Sequence, residues 1–210
     1  MKNNYDSIAG YYDVLSRMVF FRAQVKAQID QLHAIPANST VLIAGGGTGW
    51  ILEEIAKIHP SGLTITYIEI SSKMLDLSKK REVKSNAVTF IHSAMEDFKT
   101  NFSYDVLITA FFFDNFSADH VEIVFNQLNK LLKKDGIWLF ADFYYTRQSG
   151  KRWQWLLLQT MYLFFSKISS VEAKSLVNTE HLFREKDYLS LKEAFYYSGF
   201  IKTIIYQKMT

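Results

Sequence analysis

The sequence predicts a doubly wound α/β fold, a mostly parallel sheet of about six strands with helices on both faces, and three observations carry that reading. Short apolar runs alternate with amphipathic segments along most of the chain, as strand and helix do around a parallel sheet. The runs before residue 144 are each separated from the next by a segment of helix length. The first run ends in Gly45-Gly46-Gly47-Thr48-Gly49, which opens directly into a helical pattern.

Val41 to Ala44 is the first strand, apolar throughout and bounded by Pro36-Ala37-Asn38-Ser39 and the glycines, so it reads as a central strand buried on both faces. Ile51, Leu52, Ile55 and Ile58 then recur at helical spacing. Leu63 to Ile70 follows a His59-Pro60-Ser61-Gly62 turn, Ala87 to Ile91 is the third strand and Tyr104 to Phe112 the fourth. Ser117 caps a helix marked by Val121, Val124, Phe125, Leu128, Leu131 and Leu132. Ile137 to Phe143 is the fifth strand, and Trp153 to Phe165 an aromatic-rich helix interrupted by Gln154, Gln159 and Thr160. Ser190-Leu191-Lys192-Glu193 has the form of a capping box and Gly199 of a C-terminal stop, which predicts a helix from Leu191 to Ser198. Phe200 to Thr210 then supply one closing strand. With no repeat or linker, residues 1–210 are expected to form a single domain, with 1–35 as an N-terminal helical segment and 146–186 as a helical insertion.

The 24 Lys+Arg and 21 Asp+Glu are spread along the chain and leave a net charge of +3, without the basic stripe that nucleic-acid phosphates require. No Cys is present, which excludes a disulfide framework, a Cys-based metal site and a thiol nucleophile, and fits a reducing compartment. The N-terminal residues lack an apolar signal core, and no run reaches the ~18 apolar residues of a membrane span. The expectation is a cytoplasmic protein without integral membrane association.

A glycine-rich loop at the carboxyl end of a central strand sits where open α/β sheets bind ligands, and lets a ligand approach the main chain closely. The dinucleotide fingerprint would need glycine at position 50, where Trp50 stands, and the Gly-Lys-Ser/Thr of a phosphate loop is absent. Gly45-x-Gly47-x-Gly49 therefore suits a nucleoside that carries no phosphate. Glu69, at the end of the second strand, can accept charge-assisted hydrogen bonds from both hydroxyls of a ribose; the alternative is a solvated charge at a strand end.

With these residues in place, the chain from Tyr5 to Phe143 resembles the class I S-adenosylmethionine-dependent methyltransferases. Val41 to Gly49 is similar to that family's first motif, Tyr67-Ile68-Glu69-Ile70-Ser71-Ser72-Lys73-Met74-Leu75 to the second, and Val88 to Phe98 to the third-strand motif, whose loop holds adenine. Tyr104 to Ala110 matches the fourth strand, and Tyr5 to Asp13 is similar to the tyrosine-bearing N-terminal segment of the ubiquinone/menaquinone-type branch. The resemblance implies an S-adenosylmethionine site made by Gly45, Gly46, Gly47, Thr48, Gly49, Glu69, Ile70, Ser93, Ala94, Met95 and Ala110, with the Tyr11 or Tyr12 ring beside the sulfonium. The chain departs from the family in placing Ile43 and Ser93 where acidic residues usually stand, and in a C-terminus with room for one strand rather than two.

The implied reaction is a direct displacement on a small, largely apolar acceptor, in which a general base is needed only when the nucleophile must lose a proton. No catalytic residue can be assigned from sequence; Asp114, Asp142 and His120 are candidates near strand ends, each with a structural alternative as cap or surface residue. Ala110-Phe111-Phe112-Phe113 stands where methyltransferases of nucleobase nitrogens often carry Asn-Pro-Pro-aromatic, which argues against a nucleic-acid acceptor. The three phenylalanines either line an acceptor pocket or pack the strand. The helix at 153–165 is core, a lid over the acceptor, or a contact for a homodimer or membrane surface. The opposing reading is a domain that keeps the fold but binds S-adenosylmethionine weakly or as a regulator, without catalysis.

Overall fold

The computed structural model describes residues 6, 22–146, 148, 151–168, 173 and 175–210. Helix α1 (Ala23–Leu32) precedes β1 (Thr40–Ala44), α2 (Trp50–Ile58), β2 (Ser61–Glu69), α3 (Ser72–Ser78), β3 (Ser85–His92) and β4 (Tyr104–Ala110). These are followed by α4 (Ala118–Leu131), β5 (Leu132–Phe143), α5 (Arg152–Ile168), α6 (Glu180–Glu185), β6 (Tyr188–Tyr196) and β7 (Ile201–Lys208). The sheet order is β3-β2-β1-β4-β5-β7-β6. Strands β1 to β5 pair in parallel, while β7 runs antiparallel to both β5 and β6.

Alternation along the strands builds a core on each face of the sheet. Leu42, Leu107, Trp138 and Phe140 face α4, whose Val121, Val124, Phe125 and Leu128 repeat at helical spacing. Val41, Ile43, Val106, Ile108 and Leu139 face the other way, against Ile51, Leu52 and Ile55 of α2. Trp138 is fully buried; its indole N–H donates to Thr109 Oγ1 at 2.8 Å and its ring stacks on Phe125 at 5.2 Å. A third cluster covers the carboxyl end, where Leu157, Leu158, Met161 and Tyr162 of α5 pack with Phe111, Phe143 and Phe200. The opposite face of α5 leaves Trp155, Leu156 and Leu163 exposed.

The C-terminal segment corrects two expectations. Residues 191–196, expected as helix, belong to strand β6, so the sheet has seven strands rather than six. Leu191, Ala194 and Phe195 satisfy helical spacing, but an isolated eight-residue helix is marginal. Pairing from Tyr188↔Lys208 to Tyr196↔Ile201 satisfies the free edge of β7 instead, with an irregularity between Ser190 and Lys192 that absorbs the mismatched period. Gly199 is the turn residue of that hairpin, following Tyr197 and Ser198, which also have positive φ.

Candidate functional site

A cleft opens at the carboxyl ends of β1, β2 and β4, where the chain leaves β1 toward neighbours on opposite sides. Its floor is the β1–α2 loop, held against the end of β2 by a dense set of bonds. Gly45 N–H donates to Ile68 O at 2.9 Å, Tyr67 Oη donates to Gly47 O at 2.9 Å, and Gly47 N–H donates to Glu69 Oε2 at 2.8 Å. The loop needs glycine for two different reasons. A Cβ on Gly46 would fall within the Tyr67 ring, whereas Gly47, at φ +65°, faces open cleft with nothing near its would-be Cβ.

Glu69 is 4% exposed and each of its oxygens is engaged, Oε2 by Gly47 and Oε1 by the Ser71 N–H at 2.8 Å. Burial raises its pKa above the ordinary carboxylate value, against the opposing pull of the Ser71 and Gly47 donors. A carboxylate oxygen accepts two bonds, so each retains a lone pair for a ligand hydroxyl. Beyond it, Ser71 Oγ caps α3 by accepting from Met74 N–H, and donates to Asp6 Oδ1 at 2.5 Å.

The expected cofactor residues lie around this one cleft, with two exceptions. Gly49 is set behind the loop as the N-cap of α2, against Ser78, and Tyr11 lies outside the described residues, as do Tyr5 and Tyr12. Ile43 lines the cleft as an apolar wall, and Ser93 spends its hydroxyl proton on Ala94 O at 2.8 Å, which leaves its oxygen only to accept. Sequence reasoning missed Gln24 and Gln28 of α1, whose i,i+4 spacing on one face was the available signal. It also missed Asn115 and Phe116 as lining residues; they reach the cleft through the turn after β4, where Phe111 takes φ +52°. His120 lines this cleft too, whereas Asp114 and Asp142 do not.

The family described as a methyltransferase domain matches residues 41–136, the span that builds this floor. A malonyl-[acyl-carrier protein] O-methyltransferase of Priestia megaterium is 29% identical over 145 residues, 68% of this chain and 51% of that protein. The ubiquinone/menaquinone biosynthesis C-methyltransferase UbiE of Geotalea daltonii is 33% identical over 85 residues, 39% of this chain and 36% of that protein. The matched span is therefore similar to a methyltransferase domain. The chain spans about half the length of the malonyl-[acyl-carrier protein] O-methyltransferases it matches. In fold the chain is similar to the cyclopropane synthase MmaA2 of Mycobacterium tuberculosis (TM-score 0.67, 14% identity, 87% of this chain and 83% of that one). It is also similar to the N-methyltransferase NodS of Bradyrhizobium japonicum in complex with S-adenosylhomocysteine (TM-score 0.61, 10% identity, 88% and 83%).

The donor set of the cleft fits S-adenosylmethionine, the cofactor that the resemblance implies. A buried carboxylate with lone pairs to spare meets ribose hydroxyls, the open face of Gly47 admits close approach to the backbone, and Ile70 and Met95 offer apolar surface for a base. Among the described residues no helix is long and apolar enough to cross a membrane.

A second cavity, which shares no lining residue with the first, is lined by Asp114, Asp142, Phe143, Tyr144 and Lys202 among others. Asp142 Oδ2 accepts from Phe113 N–H at 3.2 Å and Oδ1 from Phe143 N–H at 2.8 Å, tying the end of β5 to the turn after β4. Asp114 Oδ1 accepts from the Asn115 amide at 2.8 Å. Burial raises both carboxyls, Asp114 to about 7, and the charge of Asp114 raises Asp142 further, so the pair holds a proton near neutrality.

Proposed function

We propose that the chain binds S-adenosylmethionine in the first cleft and transfers its methyl group to a small, largely apolar acceptor by direct displacement. The observation that carries this reading is the bond from Gly47 N–H to Glu69 Oε2, which joins the glycine loop and the carboxylate into one preorganised surface. In this reading Glu69 holds the ribose, Ile70, Ser93, Ala94 and Met95 surround the adenine, and Gly45, Gly46, Gly47, Thr48 and Ala110 line the path of the methionine moiety. When bound, the cofactor supplies a methyl group on a positively charged sulfur. Phe111, Phe112 and Phe116 present apolar surface on the far side of the cleft, and α5 closes over Phe111. Both favour an apolar acceptor and a lid role for residues 146–186 within a single domain of residues 1–210. Relatives named for O- and C-methylation support methyl transfer without choosing the acceptor atom.

One observation favours a second reading, a domain that binds the cofactor weakly or as a regulator: Ile43 turns an apolar side chain into the cleft and cannot accept a hydrogen bond. Calorimetry with S-adenosylmethionine and S-adenosylhomocysteine separates the two. Dissociation constants of about 1–100 μM support the enzyme; no heat of binding up to about 1 mM rejects it.

A further inference from the structure

Helix α5 begins the wrong way round for a helix in water. At its first turn the buried side chain is Gln154, whose Oε1 accepts from Lys151 N–H at 2.7 Å and whose Nε2 donates to Ser198 O at 3.1 Å. The first bond closes the start of the helix, and the second pins it to the β6–β7 turn. Together they fix which face looks outward. That face carries Trp155, Leu156 and Leu163, each half exposed or more. Thr160 stands between them, with its hydroxyl proton committed to Leu156 O at 2.9 Å. From Trp153 to Phe164 the helix holds no charged residue, where the outer face of a soluble helix is ordinarily charged. The charge around this face is one-sided. Of the 210 residues of the chain 21 are Asp or Glu, yet residues 143–171 contain none and include Arg147, Lys151, Arg152 and Lys167. Lys151 and Arg152 are exposed at the end of the helix that bears Trp153 and Trp155.

We propose that the outer face of α5 docks this chain on an anionic lipid surface, with Trp155, Leu156 and Leu163 entering the boundary between headgroups and acyl chains and Lys151 and Arg152 meeting lipid phosphates. An indole suits that boundary because it joins an apolar body to one N–H donor, and the long cationic side chains reach from it to the headgroups. A second copy of the chain fits this face less well: however two such helices pair, the cations of each meet a segment without a carboxylate. At 17 residues α5 is about 25 Å long, short of the ~30 Å of a hydrocarbon core, so it lies on the surface rather than crossing it. The inner face of the same helix packs on Phe111, which also lines the first cleft. Docking therefore brings the apolar wall of the cleft to within about one helix diameter, ~10 Å, of the lipid. Docking needs no cofactor, so it stands or falls apart from the methyl-transfer reading.

The test is flotation of the full chain with vesicles of phosphatidylglycerol and phosphatidylcholine in equal parts, set against vesicles of phosphatidylcholine alone. The expected result is binding about tenfold tighter or more to the anionic vesicles, weakening about tenfold between ~0.05 and ~0.5 M salt. Leu156→Glu is expected to reduce that binding more than about tenfold with the melting temperature held within about 2 °C, and Lys151→Gln with Arg152→Gln to reduce it about tenfold. Phe102→Glu adds the same charge at an exposed site just before β4, on the opposite edge of the sheet, and is expected to leave binding within about twofold. Equal binding to both kinds of vesicle, no binding below about 1 mM lipid, or an equal loss from Leu156→Glu and Phe102→Glu overturns the proposal. A dimer in sedimentation velocity that Leu156→Glu dissociates overturns it too, and assigns the face to a second copy.

Discussion

The two carboxylate sites at the carboxyl edge of this sheet solve the same problem in opposite ways. Glu69 is buried alone, and its charge is met by the N–H groups of Gly47 and Ser71 on the very loops it organises. Asp142 is buried and Asp114 half-buried, and the charge of Asp114 disfavours ionisation of Asp142, so the pair keeps a proton. The first arrangement fixes a shape, since loop and charge specify one another. The second stores chemistry, because carboxyls held away from their ordinary pKa are those suited to moving protons near neutral pH.

The largest effect should come from breaking the first arrangement. Glu69→Ala leaves two buried backbone donors without partners, a loss of about 3–5 kcal/mol in urea unfolding. S-adenosylmethionine binding should weaken by a further ~1.5–3 kcal/mol through the lost ribose contact, read by calorimetry on the folded fraction. Stability within about 0.5 kcal/mol of wild type would mean that the carboxylate does not organise the loop.

The second arrangement predicts the opposite sign. Asp114 has a folded pKa of about 7 against 3.8 for an ordinary aspartate, so the native state binds more protons between these values and stability falls as pH rises through that window. Asp114→Asn has no proton to lose there. Its advantage over wild type should grow from near zero at pH 4 to on the order of 2–4 kcal/mol at pH 8. Glu69, also raised, stays in both proteins and cancels from the difference. Parallel stability curves across that range would show that the aspartates are not coupled as described.

The same contrast explains what could be read from the sequence. The first site is made of two contiguous stretches, Gly45–Gly49 and Tyr67–Leu75, whose residues are constrained by local geometry, and it was legible as a motif. The strands of the parallel half were legible too, because burial on both faces makes them continuous apolar runs. The second site draws on a turn after β4 and the end of β5, and no spacing in the chain announces that Asp114 and Asp142 line one cavity. The antiparallel hairpin failed for a related reason. The pattern of Leu191, Ala194 and Phe195 fits a helix locally, and only the long-range ladder to β7 decides against it.

Gly47→Val sharpens the comparison at the cofactor end with a smaller cost to the fold. No atom lies near the added Cβ, so the penalty is the left-handed backbone alone, about 2 kcal/mol for a branched residue. S-adenosylhomocysteine binding should nonetheless fall more than about 100-fold, since the side chain occupies the ligand's approach to the backbone. A folded variant that binds as well as wild type would remove the loop from the site.

The smallest effect is expected at Trp155, and it tests how α5 packs. Truncating a buried Trp costs about 3–5 kcal/mol, but Trp155 is 50% exposed on the outer face of the helix. Trp155→Ala should therefore cost less than about 1 kcal/mol, whereas Leu158→Ala, at a position 5% exposed against Phe143 and Phe200, should cost about 2–4 kcal/mol. Thermal unfolding of the two variants, with and without S-adenosylhomocysteine, measures both. Because α5 packs on Phe111, Phe143 and Tyr145 rather than on the glycine loop, Trp155→Ala should leave cofactor affinity within about twofold. A Trp155→Ala loss as large as that of Leu158→Ala would place the outer face of α5 in a contact that this arrangement does not contain, and would count against the proposed lid.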